Sequence, residues 1–205
     1  VLASTSRYRA ALLSGVGVAF DTRAPEVDER ALDERFDELG PEGFALELAR
    51  RKARAVASRE PDALVIGGDQ LAVLGHLDEP RLLHQPGTPE RAVAQLMEMS
   101  GTTHVLVNGL VVIDAATGRE HATVDRQEIT MRAFTEEEAR AYVEEFAPLD
   151  CAGSYRLEDD AGLVERVVGE HRSGVIGLPL PSLGRLLDAV DPTGGWATVD
   201  WWPPG

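Results

Sequence analysis

Residues 62–70 read DALVIGGDQ, an apolar run closed by two glycines, an aspartate and a glutamine. Such a run, bounded by turn formers, predicts a buried strand. Asp69 and Gln70 follow at its carboxyl end, where open α/β sheets present the groups that meet ligands. Leu71–Leu74 carries the strand on.

Upstream, Val1–Ala3 reads as the end of a short buried strand. It leads through Ser4-Thr5-Ser6 into a helix whose apolar positions are Ala10, Ala11, Leu12 and Leu13, stopped by Gly15 and Gly17. A strand, a hydroxyl-rich turn and a helix start make a ready anion site, because free N–H groups and the helix dipole face one point. Ser4 and Ser6 read equally well as plain N-caps. Residues 25–40 are an acidic loop or short helix, and a longer helix runs from about Pro41 to Arg59. Downstream, Gly75–Gly87 is an excursion with two prolines, and Thr88-Pro89-Glu90 starts a helix that ends at Ser100-Gly101. Strands over Thr103–Asp114 and about His121–Ala133 join across AATG. Thr135 and Glu138 form a capping box for a helix ending near Phe146. A strand at Leu163–Val168 and a helix at Pro181–Val190 follow. The tail from 196 to 205, WATVDWWPPG, either packs back or frays. No repeat and no clear linker divides the chain, so one domain over 1–205 is expected.

With 205 residues and 43% apolar content the chain can bury an ordinary core, which excludes wholesale disorder. No apolar run is long enough to cross a bilayer. The net charge of −15 disfavours nucleic acid and anionic lipid as partners. A single cysteine, Cys151, and no leader-like opening stretch predict a reduced, cytoplasmic protein. The five histidines lack zinc-site spacing, and no G-x-S-x-G elbow signals a serine hydrolase. Of twenty basic residues nineteen are arginine, and the lone lysine is Lys52. A position that keeps lysine in such a chain is a candidate for work needing a compact ammonium, with chance as the equal alternative. Residues 1–10 and 50–59 hold bases and no acids. Two such islands point to a small anionic ligand, or else to solvated helix faces.

Six segments in order carry a family resemblance: LASTSRYRAALL from Leu2, APEVDE at 24–29, LARRKA at 48–53, VIGGDQ at 65–70, CAGSYRLE at 151–158 and GVIGLPLPSL at 174–183. Together they resemble the Maf family of nucleoside triphosphate pyrophosphatases, also described as septum-formation inhibitors. The resemblance implies an α/β fold with an elongated, twisted mixed sheet flanked by helices, two lobes around a nucleotide-binding cleft, and a homodimer. It implies hydrolysis between the α- and β-phosphates of a nucleoside triphosphate, giving the monophosphate and pyrophosphate, with Mg²⁺ or Mn²⁺ as cofactor. It places Ser4 and Arg9 on phosphate, Glu29 and Asp69 on metal or water with Asp69 as general base, and Lys52 in the catalytic set. An aspartate of ordinary pKa, about 3.9, is a weak base, which favours metal assistance in activating water.

Three positions separate the family's substrate subgroups. Tyr8, Gln70 and Glu158 resemble the set that acts on 7-methyl-GTP, with tyrosine where that subgroup carries tryptophan. The chemistry is consistent: an aromatic face attracts the cationic base, and a carboxylate accepts from N1–H and the 2-amino group. The alternative within the family is a dTTP- or UTP-type enzyme. The chain departs from the family at His84-Gln85-Pro86, where a GKP lysine usually contacts phosphate. Losing a charged contact costs about 1.5–3 kcal/mol, roughly ten- to hundredfold in rate if the contact acts in the transition state. Arg81 and His84 are candidates to compensate. The departure keeps a further alternative open, a weakly active nucleotide-binding regulator of cell division. Arg7 replaces the usual proline of the opening motif and is a candidate phosphate contact.

Overall fold

The apolar stretch around Ile66 forms β1, unbroken from Leu64 to Leu74, in a computed structural model that describes residues 1–75 and 80–203. The described residues contain four further strands: β2 (Arg81–Leu83), β3 (Thr103–Asp114), β4 (Arg119–Met131) and β5 (Val164–Gly169). Six helices accompany them: α1 (Arg7–Gly15), α2 (Phe36–Ala57), α3 (Pro89–Met99), α4 (Glu136–Phe146), α5 (Ser173–Ile176) and α6 (Leu180–Val190). The sheet order is β2-β1-β3-β4-β5, with β1/β2 and β4/β5 antiparallel. The five strands form an antiparallel sheet, not the mixed one expected; the parallel pairing is confined to isolated bridges of Leu2, which lies outside these strands, to Ile66 and to Thr22. This is the α/β class expected.

The strand expected at Val1–Ala3 is therefore one bridging residue, held by Ala3 N donating to Ile66 O. The helix expected from Pro41 begins earlier, at Phe36. Gly40 takes φ 65° and breaks the axis there, and Phe36 packs edge-on against Phe44 with centroids 5.5 Å apart. The excursion after β1 includes the short strand β2, while the centre of its GHLDEPRLL stretch, residues 76–79, lies outside the described residues. Trp201 packs back, its ring against Gly184 of α6 and its Nε1 donating to Trp196 O at 3.0 Å. Residues 204 and 205 lie outside the described residues.

The chain divides into two compact units. The first comprises Val1–Gln70, Asn108–Asp125 and Glu170–Gly205; the second, Leu71–Val107 and Arg126–Gly169. In the first unit the two-residue period of the strands sorts the core. Ile66, Leu110 and Val112 pack with Leu13 of α1 and Leu183 and Leu187 of α6. Val65, Val111 and Ile113 pack instead with Ala49, Ala53 and Val56 of α2. Two glycines let α2 come close. A Cβ on Gly67 would lie 2.4 Å from Ala49 O, and one on Gly109 would lie 2.2 Å from Ala45 O. In the second unit, α3 packs on α4. Thr88 caps α3, and the capping box of Thr135 and Glu138 forms as expected at α4.

Candidate active site

The alternation that puts Val65 and Gly67 against α2 carries Asp69 to the same side of β1, and α2 delivers Lys52 to it. Lys52 Nζ lies 2.5 Å from Asp69 Oδ1 and 2.8 Å from Glu29 Oε1. The Lys52 and Asp69 side chains are each 7% exposed, whereas Glu29 is 50% exposed and reaches the ammonium from outside. The lone lysine thus sits between two carboxylates inside the unit, not on a solvated helix face.

The next residue along β1 on the opposite side, Gly68, faces Arg9, whose Nε is 3.8 Å from where a Cβ would stand. Arg9 Nε donates to Gly177 O at 2.8 Å, and its Nη1 reaches Ser4 Oγ at 3.5 Å. Ser4 Oγ also accepts from Ser6 N at 3.1 Å. Of the two serines left open as caps, Ser6 is the N-cap of α1, accepting from Arg9 N. Ser4 is buried beneath the helix start, beside the guanidinium.

Electrostatics follow from this burial. Desolvation raises the Asp69 carboxyl above the ordinary aspartate range, against the pull of Lys52 and Arg9, with Glu29 adding to the rise. Asp69 is therefore a stronger base than an exposed aspartate, which corrects the expectation of an ordinary one. Burial lowers Arg9, with Asp69 and Glu29 opposing.

Gln70, on the other side of β1 from Asp69, is held by three acceptors. Its Nε2 donates to Asn108 Oδ1 at 3.1 Å, Gly174 O at 2.9 Å and Val175 O at 3.0 Å. Asn108 Nδ2 donates in turn to Gly174 O at 2.8 Å and Asp125 Oδ2 at 3.0 Å. Asn108 and Asp125 were absent from the residues singled out in the sequence. The available signal was an asparagine in the middle of the apolar run HVLVNGLVVI.

Tyr8 is half-buried. Its hydroxyl accepts from Arg7 Nη2 at 2.8 Å, and the Arg7 guanidinium lies 4.9 Å from the ring centroid. Arg7, offered as a phosphate contact, is thus engaged with Tyr8. Glu158 belongs to the second unit, exposed in the 3₁₀ turn Leu157–Asp159. Its motif neighbours are all tied: Ser154 Oγ to Gln95 Oε1, Tyr155 Oη to His104 Nε2, and Arg156 Nε to Asp159. Glu158 makes no side-chain hydrogen bond or ion pair among the described residues. Gln85 is exposed in the second unit, and Arg81, a candidate to replace the missing lysine, is paired with Glu98.

The sequence matches the family described as Maf-like protein over residues 1–190. The chain belongs to the Maf-like family. It is 39% identical over 189 residues to a 7-methyl-GTP pyrophosphatase of Nitrosococcus oceani, covering 92% of this chain and 91% of that one. A protein of the same name from Xanthomonas axonopodis pv. citri is 43% identical over 188 residues, covering 91% and 94%. One from Alkalilimnicola ehrlichii is 41% identical over 188 residues, covering 91% and 90%.

A Maf-like site is expected to take a divalent cation. No group of three or more His, Cys, Asp or Glu side chains that could hold a metal occurs among the described residues. What is present is an oxygen-only pair, Glu29 and Asp69, joined through one ammonium. Such a pair suits Mg²⁺ or Mn²⁺, which bind through one or two carboxylates and complete their shell with water and substrate phosphate.

Proposed function

We propose that this Maf-like chain hydrolyses the α–β phosphate bond of 7-methyl-GTP or a closely related modified nucleotide, as a pool-sanitising pyrophosphatase. The observation that carries the proposal is the buried Lys52–Asp69 pair beside Arg9 and Ser4. It sets a buried carboxylate and two cations within one unit, in a chain whose relatives bear that enzyme's name. Ser4, Arg9 and the start of α1 bind phosphate oxygens. Lys52 neutralises charge that develops on the phosphoryl group, and a donor already fixed in place does this without reorganisation. Asp69 orients the attacking water and takes its proton. The water oxygen bonds to the α-phosphorus as the bond to the bridging oxygen breaks, and pyrophosphate leaves. A divalent cation held by Glu29 and Asp69 would supply phosphate neutralisation and a more acidic water.

Base recognition falls to Tyr8 and Gln70 on chemical grounds, and the role of Glu158 rests on the resemblance alone. The Tyr8 ring already holds a cation against its face, and a 7-methylated guanine is a planar cation. The homodimer implied by the resemblance, and the cytoplasmic setting expected from the single cysteine, belong to the same proposal. No described helix is long and apolar enough to cross a membrane.

The test is purified protein with Mg²⁺ or Mn²⁺ against 7-methyl-GTP, GTP, dTTP and UTP, with monophosphate and pyrophosphate quantified. Preferential release of 7-methyl-GMP is expected; preference for dTTP or UTP would assign the chain to the other substrate class. Gln85 favours a second reading, a nucleotide-binding regulator with little turnover. Gln85→Lys separates the two, raising turnover severalfold in a slowed enzyme and leaving a binding module unchanged.

A further inference from the structure

Side-chain amides have two faces, one that donates and one that accepts, and their neighbours decide which is turned outward. At Gln70 those neighbours are the backbone carbonyls of Gly174 and Val175 and the Asn108 carboxamide. A carbonyl can only accept. Reversing Gln70 would set its oxygen against both carbonyls, so the NH2 group must face the turn formed by α5. Asn108 is fixed by the same reasoning. Its NH2 faces Gly174 O and Asp125 Oδ2, which leaves its oxygen for Gln70. Asn108 is 1% exposed and Asp125 6%, so water does not substitute for these partners. The chain of bonds ends at Gln70 Oε1, which accepts from no donor among the described residues. This oxygen lies 3.5 Å from where a Cβ on Gly177 would stand. Gly177 is also the residue whose carbonyl holds Arg9 Nε.

We infer that Asn108 and Asp125 are positioning residues that present Gln70 to the nucleobase as an acceptor only, and that Asn108 also steadies the turn that orients Arg9. This rests on the assignment of Gln70 to the nucleotide made above. An outward acceptor favours a base edge with adjacent N–H donors, such as N1–H and the 2-amino group of guanine. It opposes an edge whose single N–H is flanked by carbonyls, as in uracil and thymine. Asn108 is the hub because it touches Gln70, the turn and Asp125.

Two variants and two readouts test it. Asn108→Leu keeps bulk and removes all three bonds. The expected result is a roughly tenfold fall in the ratio of kcat/KM for 7-methyl-GTP over UTP, carried mainly by a higher KM for 7-methyl-GTP. Exchange of the Gln70 side-chain NH2 protons with solvent, followed by NMR without nucleotide, is expected to speed up. Asn108→Leu/Asp125→Asn also replaces the buried carboxylate that loses its Asn108 donor in the first change. Thermal stability is expected to recover in part while the selectivity stays low. Selectivity that returns with stability, or both substrates slowed in parallel with Gln70 exchange unchanged, overturns the inference and leaves a structural network. Wild-type protein that neither binds nor turns over any nucleotide sinks the functional proposal itself, a result distinct from either.

Discussion

Lys52 and Asp69 hold opposite charges where neither would be stable alone, and that dependence is measurable. Removing one member of a buried pair leaves an uncompensated charge and costs about 3–5 kcal/mol. Lys52→Met is expected to lose about that much in denaturant unfolding, and Lys52→Met/Asp69→Asn to regain a good part of it, while both remain inactive. A double variant no more stable than the single would show that the pair is not coupled. A second buried group reports on pH. His104 is fully buried in the second unit, with Nε2 on Tyr155 Oη, and burial lowers its pKa from 6.5 to about 4. The folded state therefore binds fewer protons than the unfolded chain between these values. Stability from this group is complete above about pH 6.5 and lost as pH falls toward about 4, on the order of 3 kcal/mol in all. Unfolding free energies measured across that range should fall in the wild type and flatten in His104→Gln. An equal slope in both would assign the acid sensitivity elsewhere.

At the level of elements, the active cluster depends on how closely α2 lies on β1. Gly67→Ala places a methyl 2.4 Å from Ala49 O, a backbone atom that can move only if the helix does. The expected outcome is a loss of at least about 1–3 kcal/mol together with most of the activity, because Lys52 rides on the displaced helix. Gly15→Ala, where nothing stands within 4 Å, is the control, expected to change stability by less than about 1 kcal/mol. Equal behaviour in the two, by thermal melts and kcat/KM, would count against the close approach as the positioning device. Elements with local signals were legible in the sequence. Thr88-Pro89 and the Thr135/Glu138 box placed α3 and α4, and the apolar pattern placed β3 from Thr103 to Asp114. What escaped depends on partners distant in sequence. β2 is three residues that exist as a strand through pairing with Ala72–Leu74, and α5 is a single turn. The start of α2 at Phe36 rests on a ring contact eight positions on. The site divides the same way. Ser4, Arg9, Glu29, Lys52 and Asp69 lie in motifs readable along the chain, whereas Asn108 and Asp125 matter through strand register.

For the molecule as a whole, a net charge of −15 is a poor setting for a triphosphate, and the cations that offset it locally are few. Arg9 and Lys52 do so from inside the first unit, where burial strengthens their field. Their carboxylate partners, Glu29 and Asp69, keep that charge from being stranded before substrate arrives. The two units divide the expected residues unevenly, with Ser4, Tyr8, Arg9, Glu29, Lys52, Asp69 and Gln70 in the first and Glu158 and Gln85 in the second. The reaction centre is thus proposed for the first unit, with Asp69 as its base. The measurement that bears on this most directly is kcat/KM for 7-methyl-GTP in wild type and Asp69→Asn, with products identified and folding matched by circular dichroism. Wild-type release of 7-methyl-GMP and pyrophosphate, reduced about 10²–10⁴-fold by the substitution, is the outcome required. A folded Asp69→Asn protein that retains turnover within about threefold of wild type, well short of that range, would show that the base lies elsewhere.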